Sequence, residues 1–160
     1  MQRMALIFAV ATAAMLSLAR AETLPLPDSV IGPATPEGQA LLIGAEASND
    51  YFPLSMHFTT QDNPAYCGPA TIAMVLNAME VPRPADKMTL GLGMFDQKNL
   101  FTPAAEAVKP AASIINPPYG MTLDELGAIL AAHELNVDVV HAADSDLEAF
   151  RQTAIAQLGD

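Results

Sequence analysis

Apolar residues fall at helical spacing just before the middle of the chain: Ile72, Val75, Leu76 and Met79 occupy i, i+3, i+4 and i+7, which predicts an α-helix. Pro69 stands in its first turn, where a missing N–H costs nothing, and Val81-Pro82-Arg83-Pro84 ends it. Ala70, Ala73, Met74 and Ala78 leave almost no polar face, so this helix is expected to be covered on several sides. Thr122-Leu123-Asp124-Glu125 reads as a capping box. Leu123, Leu126, Ile129 and Leu130 then give one apolar face to a helix ending near His133. Residues 136–141, with Val137, Val139 and Val140, are short and β-branched and predict a strand. A second capping box is read at Ser145-Asp146-Leu147-Glu148, with Leu147, Phe150, Ala154 and Leu158 lining a final helix that runs to Gly159.

The remaining segments are less regular. Residues 51–58 alternate enough to predict a short strand or extended lead into the loop at Gln61. Residues 22–48 form a Pro/Gly/Ala-rich arm, with turn signals at Leu24-Pro25-Leu26-Pro27 and Gly32-Pro33-Ala34-Thr35-Pro36 and a short helix over 38–47. From 87 to 118, Gly91, Gly93, Pro103, Pro110, Pro117 and Pro118 interrupt any period, although 102–108 suits a helix capped by Thr102. Residues 1–21 have the form of a secretory signal peptide: Arg3, an apolar run over 4–18, and Ala19-Arg20-Ala21 as the cleavage signature. Export to the periplasm or outside the cell is therefore expected, with no membrane association after cleavage. Residues 49–160 are expected to form one modest domain.

Charge excludes some functions. The chain carries 7 basic and 18 acidic side chains, net −11, and loss of Arg3 and Arg20 with the leader would take it to −13. Such a surface repels nucleic acid and anionic lipid headgroups. The three histidines are scattered, only one cysteine exists, and no metal-ligand spacing or phosphate loop is found.

That one cysteine carries the candidate chemistry. Cys67 follows Gln61 by six residues and opens the apolar helix in Tyr66-Cys67-Gly68-Pro69. At a helix N-terminus the unpaired N–H groups and the macrodipole favour a thiolate, the reactive form of a thiol nucleophile. The side-chain amide of Gln61 could then donate to the oxyanion formed when sulfur attacks a carbonyl. An exported protein with one cysteine cannot close an internal disulfide. The bland alternative is a small hydrophobic cysteine that merely packs. His57 precedes the motif and reads as a polar core or surface residue, while His133 closes a helix and complements its C-terminal dipole. His141, ahead of Asp144, reads as a strand-end residue rather than a base. Asp62 and Asn63 read as turn formers before Pro64.

Residues 61–81, and especially Tyr66-Cys67-Gly68-Pro69-Ala70-Thr71 with Met74-Val75-Leu76-Asn77-Ala78, resemble the nucleophile segment of phytochelatin synthases. Gly120-Met121-Thr122-Leu123-Asp124-Glu125-Leu126 and the segment from Val137 to Leu158 are similar to that family in the same order. The resemblance implies an α+β, papain-like cysteine-protease fold, here the helical lobe and the start of the β lobe, incomplete at its C-terminus. It implies glutathione as substrate. The thiolate attacks the Cys–Gly amide, glycine leaves, and the γ-glutamylcysteinyl thioester passes to a second glutathione or to water. Carried over, Cys67 is the nucleophile and Gln61 the oxyanion donor, while substrate-binding residues stay unassigned. No covalently bound cofactor is implied; a divalent heavy metal such as cadmium or zinc would enter as a metal–glutathione thiolate. The family's general-base histidine and its aspartate fall beyond residue 160, so a homodimer or a complementing downstream chain is an expected partner, and exposed apolar surface is expected. Two other readings stay open: a non-catalytic periplasmic thiol- or metal-binding module, and a Cys-Gly-Pro-type cysteine peptidase.

Overall fold

Pro36 and Thr35 set the first helix. In the computed structural model, which describes residues 25–83 and 93–159, Thr35 accepts a hydrogen bond from the Gly38 amide at 3.1 Å and Pro36 enters at the first helical position of α1, Pro36–Ile43. Gly38 is required here, because a Cβ would lie 2.2 Å from the Gly32 carbonyl oxygen. None of the α1 residues is buried. The chain divides into two units at Gly44 and Ala45, and the other helices among the described residues belong to the second. Residues 1–21, expected to form a signal peptide, lie outside the described residues.

Residues 51–58 correct the expected strand. They form α2, Tyr51–Met56. Pro53 accounts for the difference: it has no N–H to give a ladder, and its fixed φ suits a first helical turn. Then follow α3, Cys67–Ala78; α4, Pro103–Val108; α5, Ala111–Ile114; α6, Leu123–Ala132; and α7, Leu147–Gly159. The Thr122 capping box forms in full, since Thr122 Oγ1 accepts from the Glu125 amide at 3.2 Å and Glu125 Oε2 accepts from the Thr122 amide at 2.8 Å. Thr102 caps α4 as expected. At α7 the expected box shifts by one residue: Asp146 Oδ1, not Ser145, accepts from the Ala149 amide at 2.8 Å.

Ile72, Ala73 and Leu76 of α3 meet Phe95, Leu100, Ala105 of α4 and Ile129 of α6 in one core. Ile72, Leu76, Leu100, Ala105 and Ile129 have no solvent exposure; burial of each large side chain contributes roughly 1.5–3 kcal/mol. The buried face of α3 runs through Pro69, Ile72, Ala73 and Leu76, while Met79 caps the exposed C-terminus. Both core helices end alike. The Val81 amide reaches back to Leu76 O and the Leu135 amide to Leu130 O, with Glu80 (φ 53°) and Glu134 (φ 66°) in the left-handed position between. These are Schellman endings, and the residue after each turn, Val81 or Leu135, packs on the core as that motif requires.

Residues 136–141, expected as a strand, pair with no other strand among the described residues. Among the described residues, no backbone–backbone hydrogen bond involves Asn136 to Val140, and no β-strand occurs. A β-branched run fits a pleated surface only when a neighbouring strand completes that surface.

Candidate active site

Cys67 is the first residue of α3, and Tyr66 at the N-cap offers no side-chain acceptor to the helix. The amides of Cys67 and Gly68 are the first in the helix and have no i−4 carbonyl. Pro69 adds none, and the first turn closes with the Ala70 amide on Tyr66 O at 3.0 Å. The thiol is free and exposed, whereas the next three residues are buried. Helix amphipathicity thus sets the sulfur outward. On the inner side, Met121 crowds the helix start: a Cβ on Gly68 would lie 2.7 Å from its sulfur.

The preceding loop is held from both sides. Asn63 makes its turn, as expected: its carbonyl oxygen accepts from the Tyr66 amide at 3.0 Å and its Oδ1 from the Ala65 amide at 3.0 Å. Gln61 Nε2 donates to the same Asn63 carbonyl at 2.8 Å. This bond uses one of its two amide hydrogens and leaves the other for an acceptor. The residues flanking Gln61 are fixed from far along the chain by Gln97, only 4 % exposed. Gln97 Nε2 donates to Thr60 O at 2.9 Å, and Gln97 Oε1 accepts from the Asp62 amide at 2.8 Å. The loop bearing Gln97 is itself clamped to α3, where Asn77 donates to Phe95 O at 2.9 Å and accepts from the Phe95 amide at 2.8 Å. Sequence reasoning missed Gln97 and Asn77. Their one visible signal is that amide side chains occur on an apolar helix and beside an aromatic residue.

A cleft of ≈ 640 Å³ runs beside the loop, lined by Asn63, Pro64 and Ala65 on one side and by Ile115 and Tyr119 on the other. Its size falls within the range of small-molecule sites. The Gly120 amide donates to Ile114 O at 2.9 Å and closes the wall-forming loop, with Gly120 at φ 86°, where a side chain would be strained.

The three histidines serve elsewhere. His133 is 8 % exposed; its Nε2 donates to Leu100 O at 2.8 Å and its ring meets Phe95 edge-on at 5.2 Å. It is a core staple between α6 and the 94–101 loop, a role that corrects the expected dipole partner. His141 Nε2 donates to Asp124 Oδ1 at 2.8 Å, and Asp144 touches His141 only through its backbone amide. His57 caps the C-terminus of α2 with Nδ1 buried and unpartnered. None of them hydrogen-bonds to Cys67. Among the described residues, no group of three His, Cys, Asp or Glu side chains is gathered for a metal ion, and no helix is long and apolar enough to cross a membrane.

Comparison with known proteins gives a consistent relationship. Residues 21–160 match the family model described as phytochelatin synthase. A glutathione gamma-glutamylcysteinyltransferase 3 of Lotus japonicus is 28% identical over 126 residues, covering 77% of this chain and 25% of that protein. A glutathione gamma-glutamylcysteinyltransferase 1 of the same plant is 29% identical over 122 residues, covering 74% of this chain and 23% of that protein. The chain thus spans about a quarter of the length of the curated relatives it matches.

Proposed function

The chain belongs to the phytochelatin synthase family, and from that premise we infer that it forms a γ-glutamylcysteinyl thioester on Cys67 from glutathione. Cys67 Sγ attacks the carbonyl carbon of the Cys–Gly amide. The negative charge on the carbonyl oxygen is met by the second Gln61 Nε2 hydrogen and by the unpaired amides at the start of α3. Collapse of the tetrahedral intermediate breaks the C–N bond, glycine leaves once its nitrogen is protonated, and the acyl group passes to the amine of another glutathione or to water. A metal–glutathione thiolate of cadmium or zinc is a substrate of the same site. The fold proposed to carry this is the helical lobe of a papain-like α+β domain, acting after export.

The single observation that supports the reading is the exposed thiol at the first position of α3. A thiol sealed in the core could not reach a substrate. Proton transfer has no agent among the three histidines, none of which bonds to Cys67, so acylation is expected to be slow in the isolated chain.

Mass spectrometry of the full chain incubated with glutathione tests this. A γ-glutamylcysteinyl adduct on Cys67, lost in Cys67→Ser, is the expected result. A glutathione disulfide alone would instead make the protein a passive thiol trap, and peptide cleavage with neither product would make it a peptidase. Glycine release unchanged in Cys67→Ser would remove the nucleophile assignment.

A further inference from the structure

A buried amide side chain must find partners for its oxygen and for its N–H groups, or their desolvation goes uncompensated. Gln97 is buried and finds them at the loop before Cys67. Its Oε1 accepts from the Asp62 amide at 2.8 Å, and its Nε2 donates to Thr60 O at 2.9 Å and to Asp62 Oδ1 at 3.4 Å. The backbone partners bracket Gln61. Thr60 O belongs to the peptide plane entering Gln61 and the Asp62 N–H to the plane leaving it, and each plane is rigid. Holding both fixes the Gln61 Cα and the direction of its Cα–Cβ bond. The far end of the same side chain is held as well, by Gln61 Nε2 on Asn63 O at 2.8 Å. With both ends anchored, the planar amide gives the remaining Nε2 hydrogen one direction.

The anchor leads back to the helix that carries the nucleophile. Asn77 of α3 exchanges two hydrogen bonds with the backbone of Phe95, at 2.9 and 2.8 Å. Asp96 Oδ1 accepts from the amides of Lys98 and Asn99 at 2.8 and 2.7 Å and so turns the chain around Gln97. Leu100 then closes the segment in the core beside Ile72 and Leu76. Cys67 and Gln61 are thus referred to one body, α3: the thiol through the helix itself, the amide through Gln97. A glutamine that served stability alone would need partners, but not partners on either side of the residue that meets the oxyanion.

We propose that Gln97 is a positioning residue for acyl transfer at Cys67: by clamping the backbone on both sides of Gln61, it aims the Gln61 amide at the carbonyl oxygen that turns negative as sulfur adds. It acts through Gln61 and not on the substrate, supplying preorganisation of the donor. This role rests on the functions given to Cys67 and Gln61 above.

The test treats the full chain with two reagents that meet the same thiolate. p-Nitrophenyl acetate is attacked at its carbonyl: a C–S bond forms, the oxygen takes the negative charge, and the C–O bond breaks to release p-nitrophenolate, which needs no proton to leave. Iodoacetamide is attacked at saturated carbon: a C–S bond forms, the C–I bond breaks, iodide leaves, and no oxyanion arises. Acylation of Cys67 is expected to fall at least about tenfold in Gln61→Ala, in Gln97→Met and in Gln97→Leu, while alkylation stays at the parent rate in all three. Adding Gln97→Met to Gln61→Ala is expected to cause no further loss of acylation, because the residue it positions is gone. A loss in Gln61→Ala with none in the Gln97 variants would overturn the positioning role alone. No loss in Gln61→Ala would remove the oxyanion assignment and the positioning role together. Equal falls in acylation and alkylation, a full additional loss in the double variant, or loss of amide-exchange protection in α3 in both Gln97 variants would make Gln97 a structural residue only and overturn the proposal.

Discussion

α6 and α7 begin alike and end differently. Each follows a side chain that accepts from a first-turn amide, Thr122 for α6 and Asp146 for α7, and each has apolar residues at helical spacing. Yet α6 buries Ile129 in the core shared with α3 and α4 and Gly127 against Val137 and Val139, whereas no described side chain of α7 is buried. What holds α7 is local: Gln152 donates to Glu148 at 2.8 Å and Arg151 approaches Glu148 at 3.6 Å, contacts that contribute a few tenths of a kcal/mol each. Caps and periodicity therefore specify that a helix forms, while a facing surface decides whether its apolar stripe stabilises the protein.

The sharpest way to break this contrast is to truncate one residue in each region. Leu76→Ala is expected to cost about 2–5 kcal/mol, as for other fully buried leucines. Phe150→Ala is expected to change stability by less than about 0.5 kcal/mol. Urea titration reads both, and a large cost at Phe150 would mean that α7 is packed in solution.

Gln97→Leu comes next. It strands Thr60 O and Asp62 N, so a loss of about 1–3 kcal/mol is expected. Faster amide exchange at Asp62 with α7 unchanged would localise that loss to the turn before Cys67.

Glu125 gives a pH-dependent version of the contrast, because α7 has no equivalent. The Thr122 amide, and after it Lys109 at 2.9 Å, hold the Glu125 carboxyl below its ordinary value. The folded state thus favours the ionised form. This stabilisation is fully present above the ordinary carboxylate range and is lost as pH falls through the lowered folded value. Glu125→Gln is expected to cost about 1 kcal/mol at pH 7, and the difference from the parent should shrink on acidification; a constant gap in urea midpoints from pH 7 to pH 3 would exclude the linkage. The smallest effect is expected at Glu134→Gly, which relieves a left-handed residue at the end of α6. A gain of up to about 1 kcal/mol in thermal unfolding is expected, part of the relief being offset by a freer unfolded chain.

The legible parts of this chain were those set by neighbours in sequence. Pro69, the Thr122–Glu125 box and Thr102 each act within one turn, so α3, α6 and α4 were readable. The place of Cys67 at the head of α3 was readable because the start signals of that same helix lie beside it in sequence. Gln97 was not, since it lies in a stretch without period and its partners Thr60 and Asp62 are 37 and 35 residues away. His133 misled for the same reason: a helix-end histidine looks like a dipole partner until Leu100 and Phe95 fold onto it. Residues 136–141 kept the composition of a strand without a partner to form one, and Pro53 turned 51–58 toward a helix.

The reach of Gln97 also fixes an order of events during synthesis. The turn ahead of the thiol cannot take its final shape when residue 67 leaves the ribosome. It must wait for another thirty residues to emerge and for the segment around Phe95 to close on Asn77, a long loop whose closure is slow compared with winding a helix. Until that loop closes, the turn ahead of Cys67 lacks the two Gln97 hydrogen bonds that hold it.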